Sequence, residues 1–475
     1  MKNLAGAILL FSMAATAWAA QPDRITSAID GNQLVVMKGS VSPRAQAKFD
    51  RGPADASLKL SYVTMMFKQT IDQQNALNLL LAQQQDPNSP NYHKWLTPEQ
   101  FGARFGLSSG DIAKVSTWLR SQGFAIVDVA RGRNWIAFGG SVAQMQIVFH
   151  TRIHTFKVDG DISYANTVPV SIPAALESIV SGFRGFDDFK MYPQMVRRSP
   201  NLAPDYTVGG GNFLAPADVA TIYDIGPLYS AGTTGTGIKI AIMGQTDVNM
   251  TDIQNFRAGF GLPLNNPTPT LVTGCQPPGI TGDQGEADLD LEWSGAIAQN
   301  ASITFVVCDP NDGGVITSLQ SAVNNKTASV ISMSYGSCES ALGATFLNQY
   351  APIIQQANTQ GQTIMVSSGD SGAAGCDLSG NSSAAQGLAV NGLATPVGAN
   401  YGVVAVGGTE FNADFTSPST YWGTGTTGGS AIQYIPEAAW DDSQAGTAID
   451  TRLSSTGGGA SITFTKPAWQ KGTGV

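Results

Sequence analysis

Short, apolar, β-branched runs alternate with helical stretches in the second half of the chain, and this alternation limits the folds available to it. Four runs have the length of strands: 238–243, 303–307, 330–333 and 364–367. Stretches with helical spacing, such as 289–298 and 315–324, lie between them. Apolar strands separated by helices typically form a parallel sheet with helices on both faces. We therefore expect an α/β fold over residues 214–475, here called the second unit.

Residues 26–190, here called the first unit, carry a different pattern that predicts an α+β unit. The spacing of apolar residues predicts strands at 56–60, 62–67, 124–129 and 135–138 and helices at 73–85, 109–122 and 142–149. Gly123 is placed to end the second of these helices.

Two further segments complete the predicted organisation. Residues 1–20 read as a signal peptide, because Lys2 precedes an apolar run and Ala17-Trp18-Ala19 supplies a small-x-small cleavage pattern. The run is too short for a membrane anchor, so we expect a secreted protein. Residues 191–213 contain Arg197, Arg198 and several glycines and prolines, which predicts a linker with a processing site.

Charge divides the chain unevenly. Residues 1–200 hold 20 Lys and Arg against 14 Asp and Glu, whereas residues 201–475 hold 6 against 21. An acidic second unit with so few basic residues is unsuited to binding nucleic acid. The opposite signs suggest that the two units attract each other, and that acid weakens this attraction.

The four cysteines, Cys275, Cys308, Cys338 and Cys376, all lie in the second unit and form no CxxC pair. Zinc sites usually have closer ligand spacing, so two disulfides are the better interpretation for an exported chain. We favour the pairs Cys275–Cys308 and Cys338–Cys376, while the two other connectivities stay open.

Histidine is confined to the first unit, where His93, His150 and His154 are surface or packing residues in the simplest interpretation. The second unit has none, so its own residues cannot form a Ser-His-Asp or Cys-His catalytic site. A general base in the second unit must therefore be of another type, such as a carboxylate or a lysine.

The strongest cluster of carboxylates is the run GEADLDLEW at 285–293. On a helix, Glu286 and Asp290 are one turn apart on a partly apolar stripe, while Asp288 and Glu292 point to nearly the opposite side, toward solvent. Two like charges on a half-buried face raise one carboxyl pKa, and the pair, sharing one proton, would work best in acid. The alternative interpretation is a solvated acidic helix.

A second feature is SSGDSG at 367–372, which follows a predicted buried strand. Ligands bind at the carboxyl ends of parallel strands, and a protonated Asp370 there can donate a hydrogen bond to an oxyanion. The alternative is an ordinary turn.

These motifs and several others resemble those of the sedolisin–kumamolisin family of serine-carboxyl peptidases. In the second unit they include GTGIKIAIMGQTD (235–247), VISMSYG (330–336), VAVGGT (404–409) and GGGASITFTKPAWQ (457–470). In the first unit DPNSPNYHKWLTPEQFGARF (86–105) and FHTRIH (149–154) resemble the activation prodomain of that family. The resemblance implies a subtilisin-like, mainly parallel sheet flanked by helices and preceded by an α+β activation prodomain.

The resemblance also implies roles and partners. Asp290 is similar to the base that accepts the serine proton, Glu286 to the carboxyl that orients it, and Asp370 to the acid that stabilises the oxyanion. The implied activity is that of a secreted, acid-acting endopeptidase zymogen, which cleaves proteins or peptides and is inhibited by its own prodomain. No nucleic acid and no membrane anchor are implied.

The sequence departs from the family pattern at the nucleophile. No Gly-Thr-Ser motif occurs in the 475 residues, so we expect the chain to be truncated and the serine to lie beyond Val475. The family's calcium site is expected in the same missing segment, and no metal site is assignable here. One alternative is a catalytically inactive, peptidase-like binding protein. Another is a carboxylate-pair glycosidase, which the crowding of Glu286 and Asp290 on one helix face disfavours.

Overall fold

The computed structural model describes residues 21–158, 160–193, 206–208, 211–376, 391–411, 417–424, 428–441 and 454–472. The predicted signal peptide, 1–20, lies outside the described residues, as do positions 194–205 and 209–210 of the predicted linker.

The first unit is a set of antiparallel strands with helices packed beside them. Its strands are β1 (Leu34–Val36), β2 (Asp50–Pro53), β3 (Lys59–Phe67), β4 (Ala125–Val129), β5 (Trp135–Ser141), β6 (Ile153–Val158), β7 (Asp161–Asn166), β8 (Ser171–Pro173) and β9 (Val180–Arg184). Its helices are α1 (Ile71–Gln85), α2 (Pro98–Phe105), α3 (Ser109–Ser121) and α4 (Val142–Val148). The principal sheet has the order β4-β5-β3-β9 and is antiparallel throughout.

The predicted strands at 56–60 and 62–67 are one strand in the structure, β3, with an irregular register between Leu60 and Val63. Residues three apart face opposite sides of a regular strand. The irregularity instead turns both side chains into the same core cluster, where they are buried. The prediction of two separate strands was therefore wrong, because the chain continues through a bulge as one strand.

The predicted helices of the first unit are confirmed with small shifts at their ends. Helix α1 begins two residues earlier than predicted, because Thr70 caps it through reciprocal hydrogen bonds with Gln73. Helix α3 ends at Ser121, and Gly123 follows in the left-handed region at φ +84°. Helix α2, which the periodicity did not predict, starts with the same kind of cap at Thr97.

The rest of the chain contains strands β10 (Tyr192–Pro193), β11 (Tyr206–Val208), β12 (Gly211–Phe213), β13 (Lys239–Gly244), β14 (Thr268–Leu271), β15 (Ser302–Val307), β16 (Val330–Met333), β17 (Tyr335–Gly336), β18 (Thr363–Ser367), β19 (Val404–Val406), β20 (Thr409–Phe411) and β21 (Glu437–Ala439). Its helices are α5 (Pro216–Ile222), α6 (Gly226–Ser230), α7 (Met250–Gly259), α8 (Gln284–Ile297), α9 (Gly314–Asn324), α10 (Glu339–Thr359) and α11 (Pro418–Tyr421).

A parallel sheet forms the centre of the second unit, which confirms the predicted α/β class. Within the described residues it has six strands in the order β14-β15-β13-β16-β18-β19, and every pair is parallel. Side chains such as Ile242 and Phe305 pack on one face with α7 and α8, whereas Met243 and Ile331 pack on the other with α9 and α10. Burial on both faces explains why these strands read as continuous apolar runs.

The two units share one buried apolar cluster, in which Met66 and Trp135 of the first unit pack with Leu319 and Ile354 of the second. Amide side chains also pair across the interface: Asn134 Nδ2 donates to Gln356 Oε1 at 2.9 Å, for example. The ion pairs found in the described part of the chain join residues of the N-terminal 190. The expected electrostatic attraction between the units is therefore not expressed as ion pairs between described residues.

The disulfides are Cys275–Cys308 and Cys338–Cys376, which is the pairing favoured from the sequence. Cys308 directly follows β15, and Cys338 directly precedes α10. Both bridges thus fix loops near the ends of central elements.

Glu339, at the start of α10 and 1% exposed, holds a C-terminal segment onto the second unit. It accepts hydrogen bonds from Ser461 Oγ at 2.6 Å and from the backbone N–H groups of Ile462 and Thr463 at 2.8 and 3.3 Å. Charge-assisted bonds to a buried carboxylate are among the stronger ones in proteins.

We expect Glu339→Ala to lower the free energy of unfolding by about 3 kcal/mol, because it removes these acceptors and leaves donors unpaired. Urea denaturation measures this change, and limited proteolysis should show earlier cleavage within 454–472. Glu177→Ala, at an exposed position, is the control. Equal stability of the two variants would contradict this role of Glu339.

Candidate active site

Helix α8 carries the central pair of carboxylates, Glu286 and Asp290, one turn apart. Ala287 and Leu291, which alternate with them, are buried against β13 and β15 and fix the rotation of the helix. Glu286 is consequently 2% exposed and Asp290 is half-buried. The solvated acidic helix that the sequence left open is therefore excluded.

Ser334, directly after β16, is the neighbour that orders the pair. Its hydroxyl donates to Asp290 Oδ1 at 2.7 Å. Glu286 Oε2 and Asp290 Oδ2 are shielded from solvent and have no hydrogen-bond partner among the described residues. Two ionised carboxylates in this position would leave buried negative charge uncompensated, so the arrangement favours a shared proton.

The pKa values of the pair follow from this environment. Burial, with the negative charges of Asp290 and Asp370, raises the pKa of Glu286 to about 8. Burial raises the pKa of Asp290 to about 6, against the hydrogen bond from Ser334. The pKa values of both carboxyls are thus raised, as the sequence predicts for such a pair, because desolvation adds to the mutual repulsion.

Asp370 lies just beyond the carboxyl end of β18, where the sequence predicts it. Gly369 before it has φ +112°, a conformation that favours glycine. The turn is tied to the segment around Ser455 and Gly457, which donate backbone N–H groups to the carbonyls of Asp370 and Gly369. Asp370 is half-buried, and its charge affects the pKa of Glu286, so the structure brings the three predicted carboxyl groups into one site.

Tyr335, Asp283 and Gln245 form a polar layer around the pair that sequence reasoning missed. Tyr335 is 1% exposed, and burial together with the charges of Asp283, Glu286 and Asp290 raises its pKa well above the ordinary value, so the phenol stays neutral. Gln245 Nε2 donates to Asp283 Oδ2 at 2.8 Å. Two features of the sequence could have indicated these residues. Gln245 directly follows the strand β13, and Tyr335 belongs to the VISMSYG motif.

The opposite side of α8 is not the solvent face that the sequence suggested. Asp288 and Glu292 are half-buried, and burial with the charges of Asp288 and Asp252 raises the pKa of Glu292 to about 7. The reason is helix α7, whose Asp252 accepts a hydrogen bond from Gln284 of α8 and whose Phe256 packs on Trp293. The sequence cannot reveal that a second helix covers this side.

The start of the predicted linker runs beside the site. Strand β10 pairs in antiparallel fashion with β17, Tyr192 opposite Gly336 and Pro193 opposite Tyr335. Gln245 Nε2 also donates to the carbonyl of Met191 at 2.9 Å. A main-chain segment therefore already pairs with Tyr335 and Gly336 next to the carboxylates.

The histidines do not belong to this site. His154 pairs with Asp50 within the first unit at 2.8 Å, and His93 and His150 are turn residues of that unit with positive φ. Among the described residues, no group of three or more His, Cys, Asp or Glu side chains is placed to hold a metal ion. None of the described helices is long and apolar enough to cross a membrane.

Known proteins show similarities to both units. A family model described as "Pro-kumamolisin, activation domain" matches residues 47–189. Sedolisin of Pseudomonas sp. (strain 101) is 29% identical over 406 residues, 81% of this chain and 63% of sedolisin. Xanthomonalisin of Xanthomonas sp. (strain T-22) is 29% identical over 430 residues, 83% of this chain and 50% of xanthomonalisin.

A solved structure of Pseudomonas sedolisin, a serine-carboxyl proteinase complexed with two molecules of pseudo-iodotyrostatin, is 26% identical and covers 54% of this chain and 65% of that chain, with a TM-score of 0.38. The sequence matches confirm the predicted resemblance to the sedolisin–kumamolisin family. The chain spans 63% of the length of sedolisin and 50% of that of xanthomonalisin.

The raised pKa values predict how stability depends on pH. A folded-state pKa above the unfolded value means that unfolding releases a proton, so stability is highest in acid and is lost as pH rises through the folded pKa. The free energy of unfolding of the wild type should fall as pH rises from about 5 to about 8. In Glu286→Gln we expect this fall to be smaller by on the order of 3 kcal/mol, as measured by urea denaturation at each pH. The exposed variant Glu177→Gln should keep the wild-type slope. An unchanged slope in Glu286→Gln would show that this carboxyl titrates normally.

Proposed function

We propose that this chain belongs to a secreted, acid-acting serine-carboxyl endopeptidase zymogen. The pair Glu286–Asp290, ordered by Ser334 and close to Asp370, is the observation that carries the proposal. Such a pair can accept and return a proton without a histidine, and the second unit has no histidine. The resemblance to the sedolisin–kumamolisin family supports the same reaction class.

In the proposed reaction, a serine hydroxyl attacks the carbonyl carbon of a peptide bond and gives its proton to Asp290. Asp290 Oδ2 suits this role because Ser334 already occupies Oδ1. Glu286 can carry the proton that the pair shares, and it orients Asp290 as the base. Asp370, when protonated, donates a hydrogen bond to the oxyanion of the tetrahedral intermediate. Collapse expels the amine with the proton from Asp290, and water then hydrolyses the acyl-enzyme in the same way.

The first unit would act as the intramolecular inhibitor. The chain that leaves it pairs through Tyr192 and Pro193 with Tyr335 and Gly336, where an extended peptide substrate would be held by main-chain hydrogen bonds. Removal of this segment would admit water to Glu286 and Asp290 and lower both pKa values toward the acidic range. The proton transfer would then occur in the acidic range in which the proposed enzyme works.

The nucleophile is proposed to be supplied by a segment outside these 475 residues, since the family's Gly-Thr-Ser motif is absent from them. Reading the source DNA past the codon for Val475 tests this. A continuing frame with Gly-Thr-Ser supports the peptidase, whereas a stop codon would leave a peptidase-like protein that acts by binding. N-terminal sequencing of protein recovered outside the cell tests export and removal of residues 1–20.

In the version that carries the serine, we expect Asp290→Asn to lower kcat for peptide cleavage by about 10²–10⁴-fold and Asp370→Asn by about 10²–10³-fold. Asp288→Asn, on the same helix but the other side, is the matched control and should keep its activity. An acid proteinase assay with a denatured protein substrate measures this. Equal activity of Asp290→Asn and Asp288→Asn would exclude the proposed base.

A further inference from the structure

A cavity of about 310 Å³ lies between the two units and is bordered by Gln245 of the polar layer around the carboxylate pair. Its walls come from the stretches 39–44 and 183–191 of the N-terminal part and from 310–317 and 341–349 of the second unit. The volume has room for about ten water molecules, or for a small organic or inorganic ligand. Anything bound here would contact both units at once.

Arg184, the last residue of β9, lines this cavity and lacks a partner. Its Nε and Nη2 atoms are shielded from solvent and have no hydrogen-bond acceptor, and it forms no ion pair with any described residue. Burial lowers the pKa of Arg184 to about 10, so it remains charged at physiological pH. Arg184 as a whole is half-buried, but two shielded and unpaired guanidinium nitrogens are costly, and such unsatisfied groups in folded proteins commonly mark a bound water or ion.

Two phenol groups lie near this guanidinium. Tyr62 and Tyr350 are close enough to influence the pKa of Arg184. Tyr350 is completely buried, and its hydroxyl has no hydrogen-bond partner among the described residues. A phenol hydroxyl next to a guanidinium fork can donate a further hydrogen bond to an oxyanion.

The remaining charged groups in the wall are Arg44, Asp187, Asp188 and Lys190. Burial raises the pKa of Asp187 to about 6 and that of Asp188 to about 7. In acid both are neutral, and the cavity then carries only the positive charges of its two arginines and Lys190. At alkaline pH the two carboxylates offset much of that charge.

The geometry points to an oxyanion site: we propose that the cavity binds a small oxyanion of the carboxylate, sulfate or phosphate class on Arg184, between the two units. The flat guanidinium presents parallel N–H donors that match two oxygens of such a ligand. Because both units line the site, the ligand stabilises their association. The inference does not depend on peptidase activity.

The test uses inorganic sulfate, whose charge is the same in acid and in alkali, with the full chain at constant ionic strength. We expect saturable binding of one sulfate by isothermal titration calorimetry near pH 5, a rise in Tm of about 4 °C at saturating ligand, and binding at least about tenfold weaker near pH 8. Malonate should act in the same way as sulfate, whereas chloride should not.

Arg184→Gln is expected to abolish the saturable binding and the accompanying rise in Tm. Arg184→Lys keeps the positive charge but removes the two parallel N–H donors of the guanidinium. It should weaken sulfate binding by at least about tenfold without unfolding the protein. Arg120→Gln, at an exposed position on α3, is the matched control and should behave like the wild type.

The same sulfate response in Arg184→Gln and Arg120→Gln would overturn the proposal, because it would mean that sulfate acts only through general salt effects. Absence of saturable binding to the wild type would overturn it as well. Equal affinity near pH 5 and pH 8 would contradict the contribution of Asp187 and Asp188.

Discussion

The contact between Glu286 and Asp290 on one turn of α8 imposes a constraint on everything around it. One oxygen of each carboxyl group is shielded from water, so the site cannot stabilise two negative charges. The two groups therefore share one proton when the folded protein is near neutral pH. The serine hydroxyl of Ser334, the neutral phenol of Tyr335 and the nearby Asp370 are compatible with that single negative charge. A cation at this position would stabilise two charges and remove the raised pKa values on which the proposed proton transfer depends.

The interface between the units has a different physical basis. Apolar contacts such as Trp135 on Leu319 and amide hydrogen bonds such as Asn134 to Gln356 do not titrate, so a change of pH cannot weaken them directly. Any sensitivity of the assembled form to acid must come from buried titratable groups next to the interface. Asp187 and Asp188, which line the cavity between the units, are such groups, and burial raises the pKa of both in the folded chain.

Two features lie where the N-terminal part of the chain meets the second unit. At one, the main chain at Tyr192 and Pro193 pairs with Tyr335 and Gly336 near the carboxylates. At the other, the proposed oxyanion would bridge the units at Arg184. The proposed release of the first unit would require both contacts to open, and it would then depend on the concentration of the oxyanion in solution.

The sequence by itself determined the parallel sheet, the confinement of histidine to the first unit and the spacing of Glu286 and Asp290, because these depend on local pattern and residue type. It also located Asp370 at a strand end, through the glycines that flank it. Only the tertiary structure decided that α7 covers Asp288 and Glu292, that Leu60 and Val63 share a bulged strand, and that amide groups pair across the interface. Whether a charged group is buried depends on helices and strands that are distant along the chain. A local sequence pattern does not specify which of these elements will pack against the group.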